Sequence, residues 1–402
     1  MRRMINKVHM RDAQELAVDS VMESPVGAAA LTRQMAIRFT GSGSEYFRIW
    51  IVNLLLVLVT LTLYYPWAKV RRLRYFCGNT LVDGAPLGFH GNPLKMLRGY
   101  LLVGLLFALY SLAGSFSAVA GLLALVFVAA IAPALLKSSM RFRLANTSWR
   151  GMRFIFSGTV AGAYRAMLPL FVPGLLIAGV APWVVNPQKP PVWYGALMLG
   201  VGLSTLAVLP WLFWRLKRYQ HENYGLASLQ TGFKATVGSF YMLALKAMGV
   251  SLLMTLLVAA LAGISMYLTL DGLRTGLQLT GWYVVPGLLL AFVTTYVAFT
   301  AYVTARLQNL VWTKTGNRSM RFLSHLRFSR LFRLTLKNWL LMLLTLGLYW
   351  PFASVAITRM RLEAVTIKTR HDPATLVSLL QASDVEAAGD AAGDLFDIDI
   401  GF

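Results

Sequence analysis

The chain has 402 residues, of which 57% are hydrophobic and only 13% charged, and its 38 Lys and Arg outnumber 16 Asp and Glu to give a net charge of +22. So little charge over this length excludes an ordinary soluble enzyme, and a single cysteine, Cys77, excludes an intramolecular disulfide or a multi-cysteine metal site. Apolar runs of about 18 residues or more, each able to cross a hydrocarbon core of roughly 30 Å, predict an all-α polytopic membrane protein. We expect six to eight transmembrane helices in internal repeats, with short β-hairpin elements on the cytoplasmic face.

Residues 1–36 read as a flexible tail, mixing Arg2, Arg3, Arg11 and Arg33 with Asp12, Glu15, Asp19 and Glu23. No apolar core follows the first bases, so no cleavable signal peptide is expected. The membrane domain is placed at 37–370. It opens with a short strand from Ile37 into the Gly-Ser turn around Gly41 and Gly43, which lacks the lysine of a phosphate loop. An apolar segment at about 47–65 ends at Pro66, where the chain restarts as a basic helix with Lys69, Arg71, Arg72 and Arg74 among Tyr64, Tyr65, Trp67 and Tyr75. Asp83-Gly84 between apolar residues signals a hairpin, weakened on its second strand by Pro86. Three helical hairpins follow, from segments at about 97–114 and 117–136, 166–185 and 193–214, and 241–265 and 284–305. A last apolar segment covers 334–355. Residues 371–402 hold seven acids and no Lys or Arg, the composition of a disordered acidic tail.

One punctuation recurs. Pro66, Pro133, Pro210 and Pro351 are each followed eight residues later by an arginine, Arg74, Arg141, Arg218 and Arg359. After the first three, an asparagine stands at thirteen: Asn79, Asn146 and Asn223. Ten residues on come Phe89, Phe156 and Phe233, with Gly91, Gly158 and Ala235 two beyond, a pair repeated by Phe39 and Gly41. The segment from Phe47 also aligns without a gap to that from Phe332, bringing Asn53 onto Asn338 and Pro66 onto Pro351. Such periodicity decides architecture before local propensity does. The block Tyr64, Pro66, Trp67, Ala68, Arg74, Tyr75, Asn79, Thr80, Gly84, Phe89, Gly91 resembles the YjgN family of bacterial inner-membrane proteins of undefined function, over about residues 36–370. The resemblance implies a multi-pass inner-membrane location and supplies no activity, cofactor or catalytic residue. Ala364 departs from the pattern where an asparagine is expected.

Stretches 67–98, 137–165, 215–240 and 306–333 carry 6, 6, 4 and 7 Lys or Arg, whereas the turns 112–117, 185–192 and 266–283 carry 0, 1 and 1. Alternation of this kind is the positive-inside signal and makes the basic loops cytoplasmic. The recurring arginines are expected at a common depth against anionic lipid headgroups; no nucleic-acid partner is implied, and the composition sets no oligomeric state. His221 beside Glu222 is the only dense polar cluster, better read as a helix end than as an acid–base pair. Asn53 and Asn338 are amides embedded in apolar sequence, suited to a helix–helix hydrogen bond or to a polar pathway lining. These features favour a non-enzymatic protein that handles a solute or lipid or organises membrane partners; the alternative is a membrane-embedded enzyme acting on lipid. The first and last apolar segments are long enough to span, which favours eight spans over six flanked by two re-entrant segments.

Overall fold

The computed structural model describes residues 33–180, 183–184, 190–227, 229–275 and 284–370, with Ser378. The expectations for the two tails fall outside these residues. Eleven strands form one antiparallel sheet: β1 (Arg33–Phe39), β2 (Thr80–Val82), β3 (Ala85–Phe89), β4 (Thr147–Trp149), β5 (Met152–Phe156), β6 (Tyr224–Leu226), β7 (Leu229–Gln230), β8 (Gly232–Phe233), β9 (Thr315–Gly316), β10 (Met320–Ser324) and β11 (Val365–Thr369). Their spatial order is β7-β6-β5-β4-β3-β2-β1-β11-β10-β9-β8. The two outermost strands are consecutive in the chain, separated by Thr231 alone. Gln230 pairs with Gly225 on one side, and Gly232 pairs with Gly316 on the other. The segment 229–233 therefore bridges both edges and bends the sheet into a small barrel, leaving little edge to pair with another chain.

The expected all-α class needs correction here. Its short hairpins are present, but they join into a continuous sheet because strands as brief as three residues cannot stand alone. β1 shows how they join: residues 33–36 pair with β11 and residues 37–39 with β2. Asp83 and Gly84 both take positive φ, 50° and 77°, as a two-residue hairpin turn requires. Pro86 is harmless, because it faces Leu81 across the hairpin and lies beyond the β3–β4 pairing, which begins at Leu87. The inward face packs Met35, Val82, Trp149, Met152, Leu226 and Ile367 into one core. Trp149 Nε1 donates to Val82 O at 3.1 Å, so its polar atom is satisfied. Side chains fill the barrel, and it encloses no pore.

From this ring the chain makes five helical excursions, each leaving from one strand and returning to a neighbour. The first contains α1 (Gly43–Val59) and α2 (Tyr65–Gly78); the second, α3 (Pro93–Phe116) and α4 (Ala118–Ala145). The third contains α5 (Val160–Met167), a 3-10 turn, α6 (Val172–Val180) and α7 (Val192–Glu222). The fourth has α8 (Val237–Thr275) and α9 (Val284–Thr313); the fifth, α10 (Phe328–Leu344) and α11 (Trp350–Glu363). Five helices in the middle three excursions are long and apolar enough to cross a membrane, or six spans if α5 and α6, bent by 51°, are taken as one. Leu105, Phe107, Leu253 and Phe292, among many others, stay exposed on them, as lipid-facing side chains do.

The terminal apolar segments behave differently. α1 has 17 residues and α2 has 14, rises of about 25 and 21 Å at 1.5 Å per residue. β1 pairs with β2 and β10 with β11, so both ends of the first and fifth excursions lie at the sheet. A single span cannot return to its starting side, and the eight-span expectation gives way to two short hairpins. Their tips are built alike: Thr60 Oγ1 donates to Leu56 O and accepts from Tyr64 N, and Thr345 Oγ1 does the same with Leu341 O and Tyr349 N. Leu61 and Leu346 at the tips are 84% and 94% exposed, a placement that suits acyl chains rather than water. Pro66 and Pro351 lie in the first turn of their helices, where the missing N–H costs nothing. Pro133 and Pro210 lie inside α4 and α7.

The first residue past each outgoing strand donates its N–H to the last residue of the excursion. Thr40 donates to Asn79 (2.9 Å), His90 to Asn146 (2.8 Å), Ser157 to Asn223 (3.0 Å), Lys234 to Lys314 (2.8 Å) and His325 to Ala364 (2.9 Å). At the neck of three excursions an aromatic ring covers a glycine. A Cβ on Gly91 would stand 2.6 Å from Phe89 Cε1, and one on Gly158 2.6 Å from Phe156 Cε1 and 2.8 Å from Tyr219 Oη. Gly158→Ala is expected to lower stability by about 1–3 kcal/mol through overpacking, while Gly200→Ala in open surroundings on α7 shifts it little; thermal unfolding in detergent measures both. In a Cys77→Ser background, a cysteine at Ser115 is expected to react with an impermeant maleimide from the far side, and one at Leu346 from neither side. Far-side labelling at Leu346 would restore a span there.

Candidate functional site at the mouth of the barrel

Five return helices, α2, α4, α7, α9 and α11, come down onto the sheet, and each packs against the outgoing strand and helix of the next excursion. The asparagines end three of them. Asn79 Nδ2 donates to Tyr75 O (2.9 Å), Asn146 to Phe142 O (2.8 Å) and Asn223 to Tyr219 O (2.7 Å), each adding a side-chain donor to a carbonyl of the last turn. Tyr75 Oη donates to Ser42 O at 2.8 Å and Tyr219 Oη to Thr159 O at 3.1 Å, tying each return helix to its own outgoing one.

The recurring arginines tie neighbours together. Arg74 Nη2 donates to Gly91 O of the second excursion (3.4 Å), and Arg359 Nη2 donates to Gly41 O of the first (2.8 Å). Asn309, at the matching place on α9, bonds both ways with Leu326 of the fifth: its Nδ2 donates to the carbonyl, and its Oδ1 accepts the N–H. Arg218 instead pairs with Glu222 at 2.8 Å and lies over the Trp214 ring, while Arg141 occupies the same place on α4. Tyr64 stacks on Trp67 beneath the Arg71 guanidinium. Phe89 is buried with Val70, Met96 and Phe142, and Gly84 forms the hairpin turn. Most of the family-like signature is thus a set of structural joints.

Sequence reasoning missed a polar cluster on the return helices above the barrel plug. Lys217 Nζ donates to Gln220 Oε1 (3.1 Å), and Arg361 Nε donates to Gln308 Oε1 (2.8 Å), whose Nε2 donates back to Arg361 O (2.8 Å). Lys217 and Arg361 come from the third and fifth excursions, and Gln308 of the fourth links them: His221, one turn below Lys217, meets Trp312, one turn below Gln308, and Gln308 holds Arg361. His221 is buried beside them with Nδ1 3.1 Å from Thr315 Oγ1 and its ring between Tyr224 and Trp312. Glu222 turns away to Arg218, so the adjacent pair is divided between two partners. Arg143 extends the positive field toward Tyr224 and Cys77: burial raises both pKa values, and the guanidinium opposes the rise. Lys69 on α2 is pushed below its usual value by burial first and by Arg143 second. The signal for this cluster is a departure from periodicity. Six residues before the helix-ending position stand Leu73, Met140, Lys217, Gln308 and Thr358; three before it, Phe76, Arg143, Gln220, Val311 and Arg361.

The family described as "Bacterial protein of unknown function (DUF898)" matches residues 34–395. The chain belongs to that family. It is similar to the inner membrane protein YjgN of Salmonella typhimurium strain LT2, 29% identical over 133 residues, and to proteins of the same name from Escherichia coli O157:H7 and K12, 29% over 150 and 28% over 155 residues. The matches cover 33% to 35% of this chain and span only 34% to 35% of the length of those relatives. No solved structure matches. Membership, relatives and apolar helices together make the chain a multi-pass protein of the inner membrane.

Within this family member the two matching amides have unequal surroundings. Asn53 Oδ1 accepts from Arg71 Nη1 at 3.4 Å. Asn338, 1% exposed on α10, has no partner for either amide atom. The difference lies one helix away, since the residue matching Arg71 is Ala356. An unpaired buried amide costs about 1–3 kcal/mol. Asn338→Leu is therefore expected to raise the unfolding temperature, whereas Asn53→Leu, which strands Arg71, is expected to lower it.

Proposed function

We propose that this inner-membrane protein holds anionic phospholipid against its sheet-side rim, with the barrel on the cytoplasmic side. The observation that carries this reading is an open cleft of about 370 Å³ between α8 and α9, lined by Ser239, Met242, Leu243, Lys246, Tyr302, Arg306 and Leu310. Its mouth sets two cations above apolar walls, and the Arg306 guanidinium lies 5.6 Å from the Tyr302 ring centroid. Cations at one end and apolar helix faces beyond match the two halves of a phospholipid. Arg74, Arg218 and Arg359 remain exposed beside their internal partners, leaving surface for headgroups around the same rim. The filled barrel argues against conduction along the axis and in favour of lateral handling or organisation of lipid.

Two juxtamembrane cations near anionic lipid are worth on the order of 1 kcal/mol each, roughly a 30-fold change in affinity together. Native mass spectrometry of the full chain with phosphatidylglycerol is the check. Lys246→Gln with Arg306→Gln is expected to reduce retained lipid by that order, and unchanged retention would reject the cleft as the headgroup site.

A further inference from the structure

We propose that the polar cluster at the barrel mouth is a binding site for one phosphate-bearing anion, gripped by Lys217 and Arg361 with Gln220 and Gln308 beside them. The first support is uncompensated charge. Among the described residues, the carboxylates of Glu45, Asp83, Glu222 and Glu363 have other partners: Glu45 with Ser42 and Tyr75, Asp83 with Arg150, Glu222 with Arg218, and Glu363 with the Phe39 N–H. The acceptors that Lys217 and Arg361 do have are neutral amides. A lysine offers three donors and an arginine five, so both keep several free for an incoming oxyanion. Two cations held together without an acid repel one another; a dianion replaces that repulsion with attraction.

Accessibility is the second support. Arg361 keeps exposed surface, so its remaining donors can be reached by a dissolved anion. Gln220 and Gln308 are 9% and 6% exposed, and Gln308 is fixed by bonds to Arg361 and by a long contact of 3.5 Å to Ser324 Oγ. The cations are thus held on a prearranged frame and not on freely moving stems.

The third support is that the architecture does not require these charges. Where Lys217 stands, the first two return helices carry Leu73 and Met140; where Arg361 stands, α2 and α9 carry Phe76 and Val311. All five return helices make the same closing hydrogen bond regardless. The polar side belongs to excursions three to five, with Arg143 alone reaching in from the second. Beneath it, Trp312 packs on Phe322, a residue that also touches the barrel core, at 5.2 Å between ring centroids. Lysine as a point charge, arginine as a planar fork and amide N–H groups between them suit a tetrahedral phosphate.

Calorimetry on the full-length detergent-purified protein tests the site, using inorganic phosphate in one titration and dioctanoyl phosphatidic acid in another. Binding of the first alone assigns a soluble phosphorylated ligand, and binding of the second alone a lipid headgroup. In either case Lys217→Gln and Arg361→Gln are each expected to weaken it at least tenfold, while exposed Arg321→Gln leaves it unchanged. The phosphatidic acid titrations are run in a Lys246→Gln, Arg306→Gln background, which removes the rim cleft's own lipid binding, and binding of inorganic phosphate should be unchanged by that pair. If Arg361→Gln fails to fold, Arg361→Lys keeps the charge, loses the fork and is still expected to bind more weakly. The proposal is overturned if neither probe binds, or if binding survives loss of both Lys217 and Arg361.

Discussion

A closed ring of backbone hydrogen bonds is the constraint on which this protein depends. Strands of two to seven residues have no independent stability, and β1, β3 and β5 each divide their pairing between two neighbours. Removing one would therefore unpair segments on both sides. Closure at Thr231 makes the arrangement cooperative, because the segment around it is hydrogen-bonded to both β6 and β9. The helices inherit their positions from that ring. Each neck bond, such as His90 to Asn146, brings the two ends of an excursion together and sets where its return helix lands. Clamps such as Arg359 to Gly41 then carry the register from one excursion to the next, including the step from the chain's last helix to its first.

The short and long excursions are versions of one another. In α2 and α11 the proline sits in the first turn, whereas α4 and α7 extend 15 and 18 residues upstream of theirs. The short hairpins correspond to long ones shortened at the proline, with a Thr-capped turn in place of the far half. This explains why length favours a span for the terminal segments while the bases before them, Arg38 and Arg48 at the first and Arg327, Arg330 and Arg333 at the last, argue the other way. Length described the apolar residues correctly but was blind to the turn at Leu61 and Thr62, where two non-glycine residues adopt positive φ. The bases on both sides of each segment were the better guide, because both ends do lie on one face.

How far the sequence revealed the fold follows from which bonds need particular side chains. The Pro–Arg–Asn spacing marks four return helices because Asn79, Asn146 and Asn223 cap and Arg74 and Arg359 clamp. The return helix of the fourth excursion, legible as an apolar segment, lacks that mark because its neck uses a backbone carbonyl that Lys314 supplies as well as asparagine does, and because Asn309 replaces the arginine. Ala364, which breaks the pattern, keeps the same carbonyl role. Barrel closure was hidden for a related reason: β7 and β8 are two residues each, and nothing in LQTGF distinguishes two edge pairings from a loop. Asn53 and Asn338 were visible as a pair, but their difference depends on Arg71 and Ala356, which lie far along the chain and on another helix.

Positions shared by all five excursions answer to the ring, and their residue types follow from capping, clamping or covering a glycine. Such positions say little about what the protein binds, however prominent they are in the sequence. The opposite holds for Lys217, Gln308 and Arg361, which sit where equivalent helices carry leucine, methionine, phenylalanine or valine. Gathering cations where an apolar side chain serves equally well adds repulsion, and the ring gains nothing in return. Specific chemistry in a protein of this kind is therefore to be sought where its copies differ, and in this chain the differences gather on one side of the barrel mouth.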